Sequence, residues 1–195
     1  MRLILASSSS YRQTMLARLR IPYTAIAPNV DETPFPGENP ADLALRLSIA
    51  KASAVAGDHP NALVIGSDQV ATINGEPIGK AGSFERAQIQ LRQLSGQTVE
   101  FHSALCVTDG RRRETADVLT YCQFRTLDDV EIDTYLRVEQ PYDTAGSAKA
   151  ESLGIALMES MHSDDPTAII GLPLIALCRM LRSFGLNPIT SLEML

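Results

Sequence analysis

The chain has 195 residues, 45% of them apolar and 21% charged, with 17 Lys plus Arg against 23 Asp plus Glu and a net charge of −6 at pH 7. That length and composition match one soluble globular domain, 1–195, able to bury a core without metal or disulfide staples, and they exclude disorder and collagen-like repeats. An acidic chain without a basic block excludes a nucleic-acid polymer gripped by bulk charge, so an anionic ligand must be held by a local cluster of cations.

Residues 2–6 (Arg-Leu-Ile-Leu-Ala) read as a strand, because the apolar stretch of MRLILASSSS is too short for a secretory core. Nor does any apolar run reach the roughly 18 residues of a membrane span, so no membrane partner and a cytoplasmic location are expected. The serines 7–10 offer N-caps for a helix to about Leu19, with Met15, Leu16 and Leu19 as its stripe. A strand near 21–27 leads into a proline-punctuated loop. Asn39-Pro40 then opens a helix whose apolar face is Leu43, Leu47, Ala50 and Ala54. The run from Ala62 to Gly66 reads as a fully buried strand ending at Ser67-Asp68-Gln69.

Asn74-Gly75 signals a hairpin, and Ser83 caps a helix to about Leu94. Extended stretches near 98–108 and 115–126 flank Asp109-Gly110, a second hairpin signal. Asp128 with Glu131 predicts a capping-box start for a helix ending near Val138. A last helix from Pro173 places Leu174, Leu177, Cys178 and Leu181 on one face and stops at Gly185. Strands alternating with helices, then a hairpin, predict an α/β fold with a mixed sheet. Cys106, Cys122 and Cys178 form no disulfide framework, and His59, His102 and His162 form no metal pair.

Several segments carry candidate chemistry. A serine-rich loop before a helix leaves free N–H groups for an anion; with Ser10 as cap, Tyr11 and Arg12 fall in the first turn with no carboxylate. Asp68 follows a buried strand where Asp is rare, so it reads either as a turn cap or as a general base or metal ligand. Lys51, at the edge of its helix's apolar face, and Lys80, between Gly79 and Gly82, read as surface charges or as its opposing cations. Glu32 is a loop acid unless it shares a metal with Asp68. The run Ala145-Gly146-Ser147-Ala148-Lys149-Ala150-Glu151 is a tight turn, or a seat for a flat base whose donors Glu151 accepts.

In order along the chain stand Leu5-Ala-Ser-Ser-Ser with Arg12, Val30-Asp31-Glu32-Thr33, Ala50-Lys51-Ala52, Gly66-Ser67-Asp68-Gln69-Val70, Gly79-Lys80, Ala145-Gly146-Ser147 and Gly171-Leu172-Pro173-Leu174. This ordered set resembles the Maf family of nucleoside triphosphate pyrophosphatases. The resemblance implies a Maf/ITPase-like two-lobed architecture, a mixed twisted sheet with flanking helices around a central cleft. It implies hydrolysis of the α–β phosphoanhydride of a nucleoside triphosphate with a divalent cation, Mg or Mn, and a homodimer.

By the same resemblance Asp68 is the proton acceptor for water, and Ser7, Arg12, Lys51 and Lys80 hold the triphosphate. Glu32 and Asp68 place the metal, while Arg12, Gln69 and Glu151 select the base. Gln69 and Glu151 look like the subgroup acting on 7-methyl-GTP, where Thr and Gln would mark the pyrimidine subgroup. The alternatives are the same chemistry on dTTP or UTP, a non-catalytic nucleotide sensor regulating septum formation, and a module docking partners through its apolar tail Leu186–Leu195. Three positions depart from the family: Ala81 for Pro, which predicts a looser Lys80 loop, Ala148 for an aromatic, and Ser152 for Gly.

Overall fold

The computed structural model describes residues 2–191. Strands β1 (Arg2–Ala6) and β2 (Tyr23–Ile26) flank helix α1 (Ser10–Ala17), and helix α2 (Pro40–Ala56) leads to β3 (Ala62–Ile73). Strand β4 (Glu76–Ile78), helix α3 (Phe84–Leu94) and the hairpin of β5 (Thr98–Thr108) and β6 (Arg113–Phe124) follow. Helix α4 (Asp129–Glu139), strand β7 (Met158–Ser163) and helix α5 (Leu174–Ser183) complete it, with 3-10 turns at Leu153–Leu157 and Ala168–Ile170. The strands form one mixed sheet in the order β2-β1-β3-β5-β6-β7, with β4 also on β3. The expected α/β class with a mixed sheet is what forms. Among the described residues no helix is long and apolar enough to cross a membrane.

Local signals account for most element boundaries. Asn39, Ser83 and Asp128 each accept a hydrogen bond from a first-turn N–H, and Asp128 with Glu131 closes a reciprocal capping box. Asn74 and Gly75 both take positive φ (51° and 81°), as a tight β3–β4 turn requires. Two boundaries differ from expectation. Ser9, not Ser10, caps α1, so Arg12 sits at its third position with its N–H on Ser9 Oγ. β7 is not foreseen from the sequence; none of its residues is buried and they show no apolar alternation, because it is an edge strand resting on β6.

The larger correction concerns β3. It does not end at Ser67-Asp68-Gln69 but spans 12 residues in all, because β5 pairs with it antiparallel from Val64↔Thr108 to Thr72↔Glu100. Asp68 is therefore mid-strand. On the other edge of β3, parallel β1 stops at Ala6↔Gly66 and β4 begins only at Ala71↔Ile78. Residues 67–70 thus face a gap in the sheet at the carboxyl end of β1, the kind of crevice where α/β sheets bind ligands.

One face of the sheet is covered by α2, whose buried positions are Pro40, Leu43, Ala44, Leu47, Ser48, Lys51, Ala52, Val55 and Ala56. The predicted face is rotated, with Ala54 exposed and Lys51 central rather than marginal. Small residues carry α2 onto the sheet: a Cβ on Gly66 would lie 2.2 Å from Ser48 O and 2.6 Å from Ala52 N. The opposite face holds two apolar clusters. One joins α1 and α5 to Leu63, Ile65, Leu105 and Val107; the other joins α3 and α4 to Ala71, Val99, Phe101 and Phe124. Between them on β3 and β5 lie the polar side chains of Ser67, Gln69 and Ser103. Leu186 packs against the first cluster, while residues 192–195 of the apolar tail lie outside the described residues.

Candidate active site

The gap beside β3 opens into a cleft of about 370 Å³ lined by Ser7, Arg12, Glu32, Lys51, Asp68, Gln69 and Lys80. An adjoining pocket of about 140 Å³ shares Arg12, Gln69 and Lys80 and adds Glu151 on its wall. Together these two cavities bring Ser7, Arg12, Glu32, Lys51, Asp68, Gln69, Lys80 and Glu151 to one place. A groove of about 610 Å³ between β6, β7 and α5 is larger, but none of those residues lines it.

Successive residues of β3 point to opposite faces, so Asp68 and Gln69 serve the cleft differently. Asp68 turns toward α2, where its Oδ1 accepts a hydrogen bond from Lys51 Nζ at 2.6 Å. The ammonium also reaches Glu32 Oε1 at 2.7 Å. Lys51 is only 5% exposed and Asp68 8%, so the pairing offsets a desolvation cost of several kcal/mol that a lone buried ion would carry. Glu32, with a side chain 60% exposed, reaches in from the β2–α2 loop. No other donor among the described residues bonds the Asp68 carboxylate, which leaves Oδ2 to the cleft.

Gln69 turns the other way and is locked. Its Nε2 donates to Ser103 Oγ and to the carbonyls of Ala168 and Ile169, each at 3.0 Å. Two carbonyl acceptors settle which end of the amide is nitrogen and leave Oε1 as an acceptor toward the pocket. The same turn supplies Gly171, whose φ of +100° only glycine adopts without strain. Gly171 O accepts from Ser67 Oγ at 3.0 Å and from Arg12 Nε at 2.9 Å. Both Arg12 terminal nitrogens have no protein acceptor among the described residues. Burial pushes the Arg12 pKa down from its ordinary value, and the charges of Asp68 and Glu32 oppose that shift.

Ser7 Oγ accepts from Ser9 N at 3.1 Å, which shapes the serine loop so that Ser8, Ser9 and Ser10 also face the cleft. In the loop around Lys80, Ala81 is buried, Lys80 bridges Ala145 and Gly82 N donates to Tyr142 O. Tyr11, Asp143 and Ile169 also line the pocket and were not singled out from the sequence. Tyr11 is an aromatic in the first turn of α1, a signal that was available. Its pKa is raised first by burial and next by Asp143. The carbonyl-lined turn 168–171 left only Gly171-Leu172-Pro173 as a trace.

The chemistry of this set is that of phosphates: three cations and free N–H groups at a helix start line one cleft with two carboxylates. Both carboxylates contact one ammonium, and the described residues contain no cluster of three or more metal-ligating side chains. That donor set fits a hard divalent ion held by one or two carboxylates with substrate phosphates and water completing its shell.

The chain is 73% identical to 7-methyl-GTP pyrophosphatase of Bordetella pertussis over 189 residues, covering 97% of this chain and 95% of that protein. It is 60% identical to the protein of that name in Burkholderia thailandensis, covering 94% and 88%, and 58% identical to that of Cupriavidus metallidurans, covering 94% and 93%. Among solved structures, a HAM1 protein from Coxiella burnetii shares the fold at 17% identity and a TM-score of 0.51, covering 91% of this chain and 98% of that one. The Maf-like protein family matches residues 2–184, nearly the whole of the chain: the chain belongs to the Maf family.

Proposed function

We propose that this protein is a cytoplasmic pyrophosphatase that hydrolyses 7-methyl-GTP to 7-methyl-GMP and pyrophosphate, removing the modified nucleotide from the pool. The observation that carries the reading is the placement of Asp68, a carboxylate held on a paired strand beside Lys51, with Arg12 and Lys80 on the same cleft and Glu151 on the adjoining pocket. In this reading the triphosphate lies across the α1 N-terminus, with Ser7, Arg12, Lys51 and Lys80 around its oxygens. Asp68 takes a proton from the water that attacks the α-phosphorus as the bond to pyrophosphate breaks. Positioning and charge neutralisation supply most of such catalysis.

Glu32 and Asp68 would hold a magnesium or manganese ion, which supplies charge neutralisation at the phosphate oxygens. Lys51 keeps the two carboxylates together before the ion binds. Excess chelator is expected to stop turnover, and added magnesium or manganese to restore it. Pyrophosphate release that continues in chelator would remove the metal from the reading.

Base choice rests on Glu151. Methylation at N7 gives guanine a positive charge and a more acidic N1–H, so a carboxylate there gains a paired hydrogen bond and charge attraction. Glu151→Gln is expected to reduce the preference for 7-methyl-GTP over GTP by about 1–3 kcal/mol, the scale of one lost polar contact in a pocket. Pyrophosphate release from 7-methyl-GTP, GTP, dTTP, UTP and CTP tests this directly. A pyrimidine in first place would keep the reaction and discard the base assignment.

A further inference from the structure

Glu151 lies in a segment without regular secondary structure, yet both sides of it are fastened to the end of α4. Tyr135 Oη, almost fully buried, accepts from Lys149 N at 3.0 Å. One helical turn on, Glu139 Oε2 accepts from Ser152 Oγ at 2.9 Å and its Oε1 from Leu153 N at 3.1 Å. Lys149 Nζ donates to Glu139 O at 3.1 Å. Residues i and i+4 share a helix face, so Tyr135 and Glu139 together grip the chain just before and just after Glu151. Gly154 closes the loop: a Cβ there would lie 2.5 Å from Lys149 N and O. The Glu151 carboxylate itself makes no hydrogen bond among the described residues and is exposed at the pocket wall. Glu139 lines neither cavity of the site.

We propose that Glu139 is a positioning residue for base selection: its carboxylate, bonded to Ser152 and Leu153, sets the height and direction at which Glu151 meets the base. This rests on Glu151 reading the base edge, as proposed above. The clasp also gives Ser152 a role that glycine could not fill, since its hydroxyl supplies one of the two bonds to the Glu139 carboxylate. A carboxylate held by its flanking backbone, rather than by bonds of its own, keeps its acceptor sites free for the ligand while losing little entropy on binding.

The test compares kcat and KM on 7-methyl-GTP and GTP for the wild type, Glu139→Ala, Glu139→Gln, Ser152→Gly, Glu151→Gln and the Glu139→Ala/Glu151→Gln double variant. Glu139→Ala is expected to raise KM for 7-methyl-GTP about tenfold with kcat within about twofold, and to move KM for GTP by less than about twofold. Glu139→Gln and Ser152→Gly each keep part of the clasp and should fall between. The double variant should discriminate no worse than Glu151→Gln alone, because both remove the same contact. Equal losses of kcat on both nucleotides, or additive losses of discrimination in the double variant, would overturn the proposal. A changed ranking in Glu151→Gln with none in Glu139→Ala or Ser152→Gly would overturn it alone. An unchanged ranking in Glu151→Gln would remove the base reading and this proposal with it. Should Glu139→Ala fail to fold, Ser152→Gly carries the same comparison with one hydroxyl removed.

Discussion

Asp68→Asn is expected to lower kcat on 7-methyl-GTP by about 10²–10⁴-fold, the contribution of a positioned general base. Asn has the shape of Asp and retains an oxygen for Lys51 Nζ, so the 2.6 Å contact survives as a neutral acceptor. What it lacks is a lone pair basic enough to take a proton from water. Lys51 keeps a carboxylate partner in Glu32, at 2.7 Å, so the buried ammonium is not left alone and the fold should hold. Pyrophosphate release gives kcat, nucleotide titration gives Kd, and the melting temperature checks that the variant is folded. A folded variant with unchanged turnover would remove Asp68 as the base. Loss of nucleotide binding in proportion to kcat would assign it to metal and substrate holding.

Gly66→Ala is expected to cost about 3 kcal/mol, at the upper end of overpacking a core. At the scale of about 2–4 °C per kcal/mol for a chain of this size, the melting temperature should fall by about 6–12 °C. The added Cβ would meet Ser48 O at 2.2 Å, Ala52 N at 2.6 Å and Ala52 Cβ at 2.9 Å, and two of those three atoms are backbone. Backbone cannot rotate aside as a side chain can, so α2 must lift from the sheet. Lys51 rides on that helix, and Asp68 lies two residues from Gly66 on β3. Activity should therefore fall along with stability, even though Gly66 lines neither cavity of the site. A melting temperature equal to wild type would show that α2 does not approach β3 this closely.

The two variants separate what was legible in the sequence from what was not. Caps and turns could be read because their partners lie within about four residues: Asn39 on Asp42 N, Ser83 on Arg86 N and the Asn74-Gly75 turn all form as expected. The packing face of α2 could not. Ala44, Ser48 and Ala52 are fully buried, but Ser48 and Lys51 break the apolar period on that face, and the close packing of Ser48 and Ala52 depends on Gly66 in another element. The same limit put Lys51 at a rim when it is enclosed. β7 carried no alternation to read, and the turn 168–171 acts through its carbonyls, which every residue type possesses.

By itself the sequence determined most of the strand–helix order, most local caps and the hairpins, and a set of ordered motifs whose candidate side chains line one cleft and the pocket beside it. Only the tertiary structure decided how they meet. The gap between β1 and β4 that exposes residues 67–70 is a matter of strand register. The locking of Gln69 by Ala168 and Ile169, and of Arg12 and Ser67 by Gly171, joins residues about a hundred or more positions apart. Propensity and periodicity act over one or two turns of chain, whereas burial, register and hydrogen-bond closure depend on which distant surfaces end up in contact.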